Sequence, residues 1–229
     1  MEMEITLPDE VPVMTLPNTT LFPQALLPLH IFEPRYRQML RDVLASNRLF
    51  AVAGLNETPA NLTAFEPAHR IASVGIIRAC QENDNGTSNL LLQGLCRVEI
   101  SRIIRNTPYR TIQVRALSSA PGASVAENGA LRTELTRLIH AKQKLGELGG
   151  SGSREMAAFL RTVDDLEAFV DIAAFTLCGD VALKQRLLET LDVNRRLRLL
   201  SEHLRGEIEK LKLQHRLQGR LSDDRIAEN

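Results

Sequence analysis

The side chains of this chain that could do chemistry are five histidines, three cysteines, and scattered acids and serines. His30, His69, His140, His203 and His215 show neither His-x3-His nor His-Glu-x2-His spacing, and no cysteine pair supplies thiolate ligands, so no metal site is expected. Cys80, Cys96 and Cys178 are odd in number and far apart. They read as small buried apolar residues in a reducing, cytoplasmic setting rather than as a disulfide framework. Asp164 and Asp165 are adjacent acids, suited to a helix N-terminus rather than to a facing catalytic pair. A serine nucleophile needs a positioned base, and Ser73, Ser88 and Ser101 have none in view. No Gly-x4-Gly-Lys-Ser/Thr loop is present to cradle phosphates, and none of the 13 glycines precedes a lysine. The expectation is a chain with no catalytic residues, no metal and no cofactor, which is not an enzyme.

Non-covalent chemistry is better represented. Residues 16–40 pack four prolines and many large apolar side chains into two short extended runs that open into a helix. Leu21, Phe22, Pro23, Leu26 and Leu27 cannot all point inward from so tight a segment. Some are expected to plug a core, and others to line an exposed apolar surface, the kind of patch that contacts unfolded or partly unfolded polypeptide. These five residues are the candidate substrate-binding set.

Charge narrows the partners. Twenty-eight basic and 28 acidic residues cancel, which argues against nucleic acid and against an anionic membrane surface. No run approaches the roughly 18 apolar residues of a membrane helix. The acidic start Met1-Glu-Met-Glu lacks the order of a signal peptide. A basic stretch containing Arg195, Arg196, Arg198, Arg205, Lys210, Lys212 and Arg216 interleaves with Glu202, Glu207 and Glu209, as a solvated helix face braced by ion pairs would. RNA binding along that stripe is a weaker alternative, because two tyrosines, seven phenylalanines and no tryptophan offer little for base stacking.

The elements that must position these groups change period along the chain. Residues 11–16, 26–31, 48–55, 71–80, 90–104 and 111–117 read as strands, the first two proline-bearing and therefore edges. Asn85-Gly86 supplies a hairpin turn and Gly94 a bulge or bend. A helix over 34–46 starts at Pro34. Beyond the small-residue stretch 118–124 the apolar period becomes 3.6: a helix with a stripe from Leu131 to Leu145, a glycine-rich loop at 146–153, a short helix over 154–161, then helices capped by Thr162, by Asp180, and by Asp192 or Asn194. The last, over about 192–218, spans roughly 40 Å, more than a small bundle covers, so part of it should project. Residues 221–229 read as a frayed tail. The fold class expected is α+β: a β barrel with one helix over 1–118, then a helical bundle ending in a long helix over 119–229.

The opening strand–proline-turn–strand–helix resembles the start of the substrate-binding domain of the Lon protease family. Val74-Gly75-Ile-Ile followed by Leu92-Gln-Gly94-Leu-Cys-Arg97-Val-Glu-Ile100 resembles that family's central hairpin, and residues 182–197 its turn into the long helix. The resemblance implies a PUA-like β pseudo-barrel followed by a helical bundle, in a free-standing version without the ATPase and protease domains. It implies a non-catalytic module that binds polypeptide clients, with room for a protease or chaperone acting in trans. The alternative is an adaptor or scaffold whose C-terminal helix docks a partner or a second copy as a homo-oligomer.

Overall fold

The computed structural model describes residues 7–56, 66–145 and 151–218. Six strands come first in the chain, β1 (Glu10–Leu16), β2 (Leu26–Ile31), β3 (Leu49–Gly54), β4 (Ile71–Glu82), β5 (Ser88–Arg105) and β6 (Thr111–Leu117), with α1 (Pro34–Leu44) between β2 and β3. Five helices follow: α2 (Val125–Lys144), α3 (Ser151–Thr162), α4 (Leu166–Leu177), α5 (Val181–Glu189) and α6 (Val193–Gln218). The class is the α+β one the sequence predicts. Contacts divide the chain into two compact units, Met1–Ser119 with Asp171–Leu191, and Ala120–Val170 with Asp192–Asn229.

In the first unit the sheet order is β2-β5-β4-β3-β1-β6, and β6 pairs back onto β5. Five strands therefore close into a barrel, and β2 hangs outside it on β5. Val11, Val13, Ala51, Ala53, Val74 and Val98 are among the small and β-branched side chains that fill the interior. Closure makes β1 an inner strand, not the edge that its proline suggests. Pro12 pairs with Thr111 of β6, while the parallel ladder to β3 begins only at Val13↔Ala51. The missing N–H of Pro12 thus falls where β1 passes from one neighbour to the other.

The long β5 serves two partners. Its residues 88–93 pair with β2, and residues 97–105 pair with β6. Gly94 lies at the changeover. A Cβ built there would sit 2.0 Å from the Phe22 carbonyl oxygen. That lets the 22–25 turn lie against β5, through bonds from Gln24 N to Gly94 O and from Gly94 N to Ala25 O, both 2.9 Å.

Arg97 ties the sheet to the later segment of the same unit. Its two terminal nitrogens donate to Asp171 Oδ2 and Oδ1 at 2.6 and 2.7 Å, and Nε donates to the Leu188 carbonyl at 3.1 Å. Both side chains are buried, and the guanidinium lies 5.9 Å from the centre of the Phe22 ring.

The second unit is helical. α2 starts with a reciprocal capping box between Ser124 and Glu127. Leu197, Leu200, Leu204, Ile208 and Leu211 of α6 form a buried seam, and residues 212–217 beyond it are all exposed. The helix cations are engaged within the unit: buried Arg196 with Glu167 at 3.1 Å, Arg205 with Glu134, and Lys142 of α2 with Glu207 at 2.8 Å.

Two helix boundaries differ from the sequence expectation. α3 begins at Ser151, inside the stretch read as loop, while residues 146–150 and the tail lie outside the described residues. The cap of α4 is Asp165, which accepts from Ala168 N at 2.7 Å, whereas Thr162 ends α3 and donates back to Phe159 O. A carboxylate one residue before the helix takes the capping role from a hydroxyl four residues before it. Asp180 and Asp192 cap as expected, accepting from Leu183 N and Arg195 N at 3.0 and 2.8 Å.

Candidate functional site

The five candidate residues separate sharply. Leu21 and Phe22 are fully buried and Pro23 is buried, so these three belong to the core and present nothing to a ligand. The turn that carries them is pinned by the Gly94 bonds and by Ser73 Oγ, which donates to Leu21 O at 2.7 Å. Leu27 is half-buried, on the inward side of β2. Leu26 alone of the five is exposed, at 50%.

Leu26 begins a row. Alternation along β2 puts Leu26, Pro28 and His30 on the exposed side, with Phe32 just past the strand end, and turns Leu27, Leu29 and Ile31 inward. Register extends the row into a face of three rungs. Leu26 lies opposite Gln93 and Ile76, Pro28 opposite Leu91 and Ala79, and His30 opposite Asn89 and Gln81. Phe32, 61% exposed, stacks on His30 with ring centroids 6.1 Å apart. His30 Nδ1 donates to Asn89 Oδ1 at 2.7 Å, which fixes the ring on the surface. Gln93 is held from two sides, by Arg78 Nε at 2.6 Å and by the Gln24 amide at 3.2 Å.

The named residues of this face are aliphatic, aromatic or amide-bearing, with one imidazole, the exposed Arg78 guanidinium against Gln93, and no carboxylate. The outer long side of β2 pairs with no described strand, and Pro28 in its middle weakens it as a template for strand addition. Covering what remains exposed of Leu26 and Phe32 is worth about 1–2 kcal/mol each, enough for weak binding. Apolar content marks the turn, whereas the alternation Leu26, Pro28, His30, Phe32 marks the exposed row.

Among the described residues no cluster of three or more His, Cys, Asp or Glu could hold a metal ion, and no helix is long and apolar enough to cross a membrane.

Comparison with known proteins gives consistent matches. The family model described as the ATP-dependent protease La (LON) substrate-binding domain matches residues 10–206. A Lon protease of Desulfosudis oleivorans is 27% identical over 226 residues, covering 95% of this chain and 26% of its own length. One from Dictyoglomus thermophilum is 25% identical over 218 residues, covering 95% and 27% respectively. The chain thus spans about a quarter of the length of the curated relatives it matches. Among solved structures, the N-terminal domain of Mycobacterium avium complex Lon protease superposes with a TM-score of 0.66 at 21% identity, covering 85% of this chain and 97% of that one. The Lon N-terminal domain protein from Xanthomonas campestris gives 0.61 at 20% identity, covering 83% and 96%. These two likenesses concern the fold.

Proposed function

We propose that this chain, which belongs to the ATP-dependent protease La (LON) substrate-binding domain family, holds non-native polypeptide on the outer face of β2, β5 and β4. The module binds without altering what it binds. The observation that carries the reading is the exposed, carboxylate-free row from Leu26 to Phe32 on a barrel otherwise well closed. Two large exposed apolar side chains, at the start of β2 and just past its end, are the anchors, and the amides of Asn89, Gln93 and Gln81 supply hydrogen bonds that do not depend on the client's sequence. Selectivity is for apolar, extended chain rather than for a motif.

The test is a titration of permanently unfolded, carboxymethylated lactalbumin against the wild type and the double variant Leu26→Ser, Phe32→Ser. Both residues are at least half exposed, so melting should change little, while affinity should fall about tenfold or more. The adaptor reading has one observation in its favour, the exposed pair Leu213 and Leu217 on α6. Leu213→Ser with Leu217→Ser should leave lactalbumin binding intact. If that variant loses the client and the β2 variant keeps it, docking through α6 replaces this proposal.

A further inference from the structure

Charge is nearly absent from the segments that build the β2 face. Residues 24–32 and 88–96 contain no Asp, Glu, Lys or Arg, and residues 71–81 contain one, Arg78. The chain as a whole is 24% charged, so the near-absence belongs to this face rather than to the protein.

Arg78 holds a distinctive place in β4. The register with β5 runs Ile77↔Leu92 and then Ala79↔Leu91, so Arg78 is the extra residue of a β-bulge. Arg78 and Ala79 are consecutive and both exposed, as strict alternation would not allow. Arg78 Nε donates to Gln93 Oε1 at 2.6 Å, and Gln93 is the residue paired with Leu26. The guanidinium is thus steered to the rung of the first apolar anchor. Its hydrogen bond goes to a neutral amide, and no carboxylate among the described residues forms an ion pair with it. Around Phe32, at the other end, both signs occur. Glu33 is engaged by Arg35 through two nitrogens at 2.9 Å, and the 83–87 hairpin carries Asp84 with Arg37 packed against its Gly86. Alternation from Gln81 turns Glu82 to the opposite side of the sheet. The β2 face therefore has one cationic end and one end of mixed charge.

We propose that Arg78 is the specificity-determining residue of the β2 face, favouring non-native segments that carry Asp or Glu close to the apolar side chain seated on Leu26. With Nε held by Gln93, the orientation of the guanidinium plane is set before the client arrives. Its terminal nitrogens then meet a carboxylate in planar geometry. A lysine at the same place meets a like charge and finds no acid on the three strands. The result is a bias of charge laid over the apolar contact, not a motif. The proposal rests on the β2 face being the client seat and deepens that reading.

The test uses three fluorescein-labelled peptides read by fluorescence anisotropy. All share the core Leu-Thr-Leu-Thr-Leu-Thr-Phe, which puts its large side chains on one side when extended. The core is flanked at both ends by two aspartates, two serines or two lysines, so either direction of binding presents the flank to Arg78. The aspartate peptide should bind about three- to fivefold tighter than the serine peptide, with the lysine peptide weakest. The spread should shrink as salt rises from about 50 to about 500 mM. Arg78→Gln should bring the aspartate peptide level with the serine peptide, and Arg78→Glu should reverse the order of aspartate and lysine. Both changes are at an exposed position, and the serine peptide, whose affinity they should leave unchanged, reports any damage to the face itself. Equal affinity of the wild type for the three peptides, a ranking that survives Arg78→Gln, or no saturable binding of the aspartate peptide up to about 1 mM would overturn the proposal while lactalbumin binding still supports the β2 seat. If Leu26→Ser with Phe32→Ser leaves all three affinities and lactalbumin binding unchanged, the β2 seat itself is wrong, and the pairing of Arg78 with an anchor on Leu26 falls with it.

Discussion

Replacing Asp171 by alanine should cost more stability than any surface change in this chain. Arg97 and Asp171 meet in a two-pronged pair at 2.6 and 2.7 Å, with side chains 1% and 0% exposed. Removing the carboxylate leaves the guanidinium buried without the acid that it grips with both terminal nitrogens. Breaking one side of such a buried pair costs about 3–5 kcal/mol, against a total folding stability of about 5–15 kcal/mol. For a chain of this size each kcal/mol moves the melting temperature by about 2–4 °C, so a drop of about 6–20 °C is expected. Thermal denaturation followed by circular dichroism reads it directly. The sharper check is the double variant Arg97→Met, Asp171→Leu. Exchanging both charges for apolar groups of similar size removes the desolvation cost together with the attraction, and should recover most of the loss. A single variant that loses less than about 1 kcal/mol, or a double variant no better than the single, would refute the reasoning that an uncompensated buried charge is the cause.

Two further outcomes follow from local geometry. Gly94→Ala puts a methyl group where the Phe22 carbonyl oxygen stands, so the 22–25 turn must move off β5. A loss of about 1–3 kcal/mol in urea unfolding is expected, and an unchanged midpoint would show that the close approach is dispensable. The hydrogen bonds from Ser124 hold the Glu127 carboxyl below its ordinary value. A depressed folded-state value means stabilisation that is complete above the usual carboxylate range and is lost as pH falls through the folded value. Glu127→Gln should therefore melt lower than wild type at pH 7, and the gap should narrow as pH falls below the usual carboxylate range; a gap that stays constant into acid would assign the effect to something other than the charge.

Much of the fold was legible because it is written in local spacing. The strands 26–31 and 111–117 and the seam of α6 follow from periods of two and of three to four, and the caps at Asp180 and Asp192 follow from residue type. What failed was non-local. Pro12 signals an edge, yet whether a neighbour strand reaches it depends on barrel closure. Leu21, Phe22 and Pro23 look like a sticky loop, but they are buried by contacts with residues 94 and 97, more than 70 positions away in the chain. Arg97 and Asp171 are 74 residues apart, and neither carries any local mark of its partner. The exposed row was readable in principle: Leu26, Pro28, His30 and Phe32 alternate, but composition drew attention to the turn before it.

The most direct measurement of the central proposal is site-specific photocrosslinking to unfolded, carboxymethylated lactalbumin. Benzoylphenylalanine placed at Phe32, on the β2 face, is compared with the same group at Val125, which is 92% exposed on the other unit. The account predicts a crosslinked adduct from position 32 that excess unlabelled client competes away, and none from position 125. Equal yields from both positions, or an adduct from 125 alone, would contradict it.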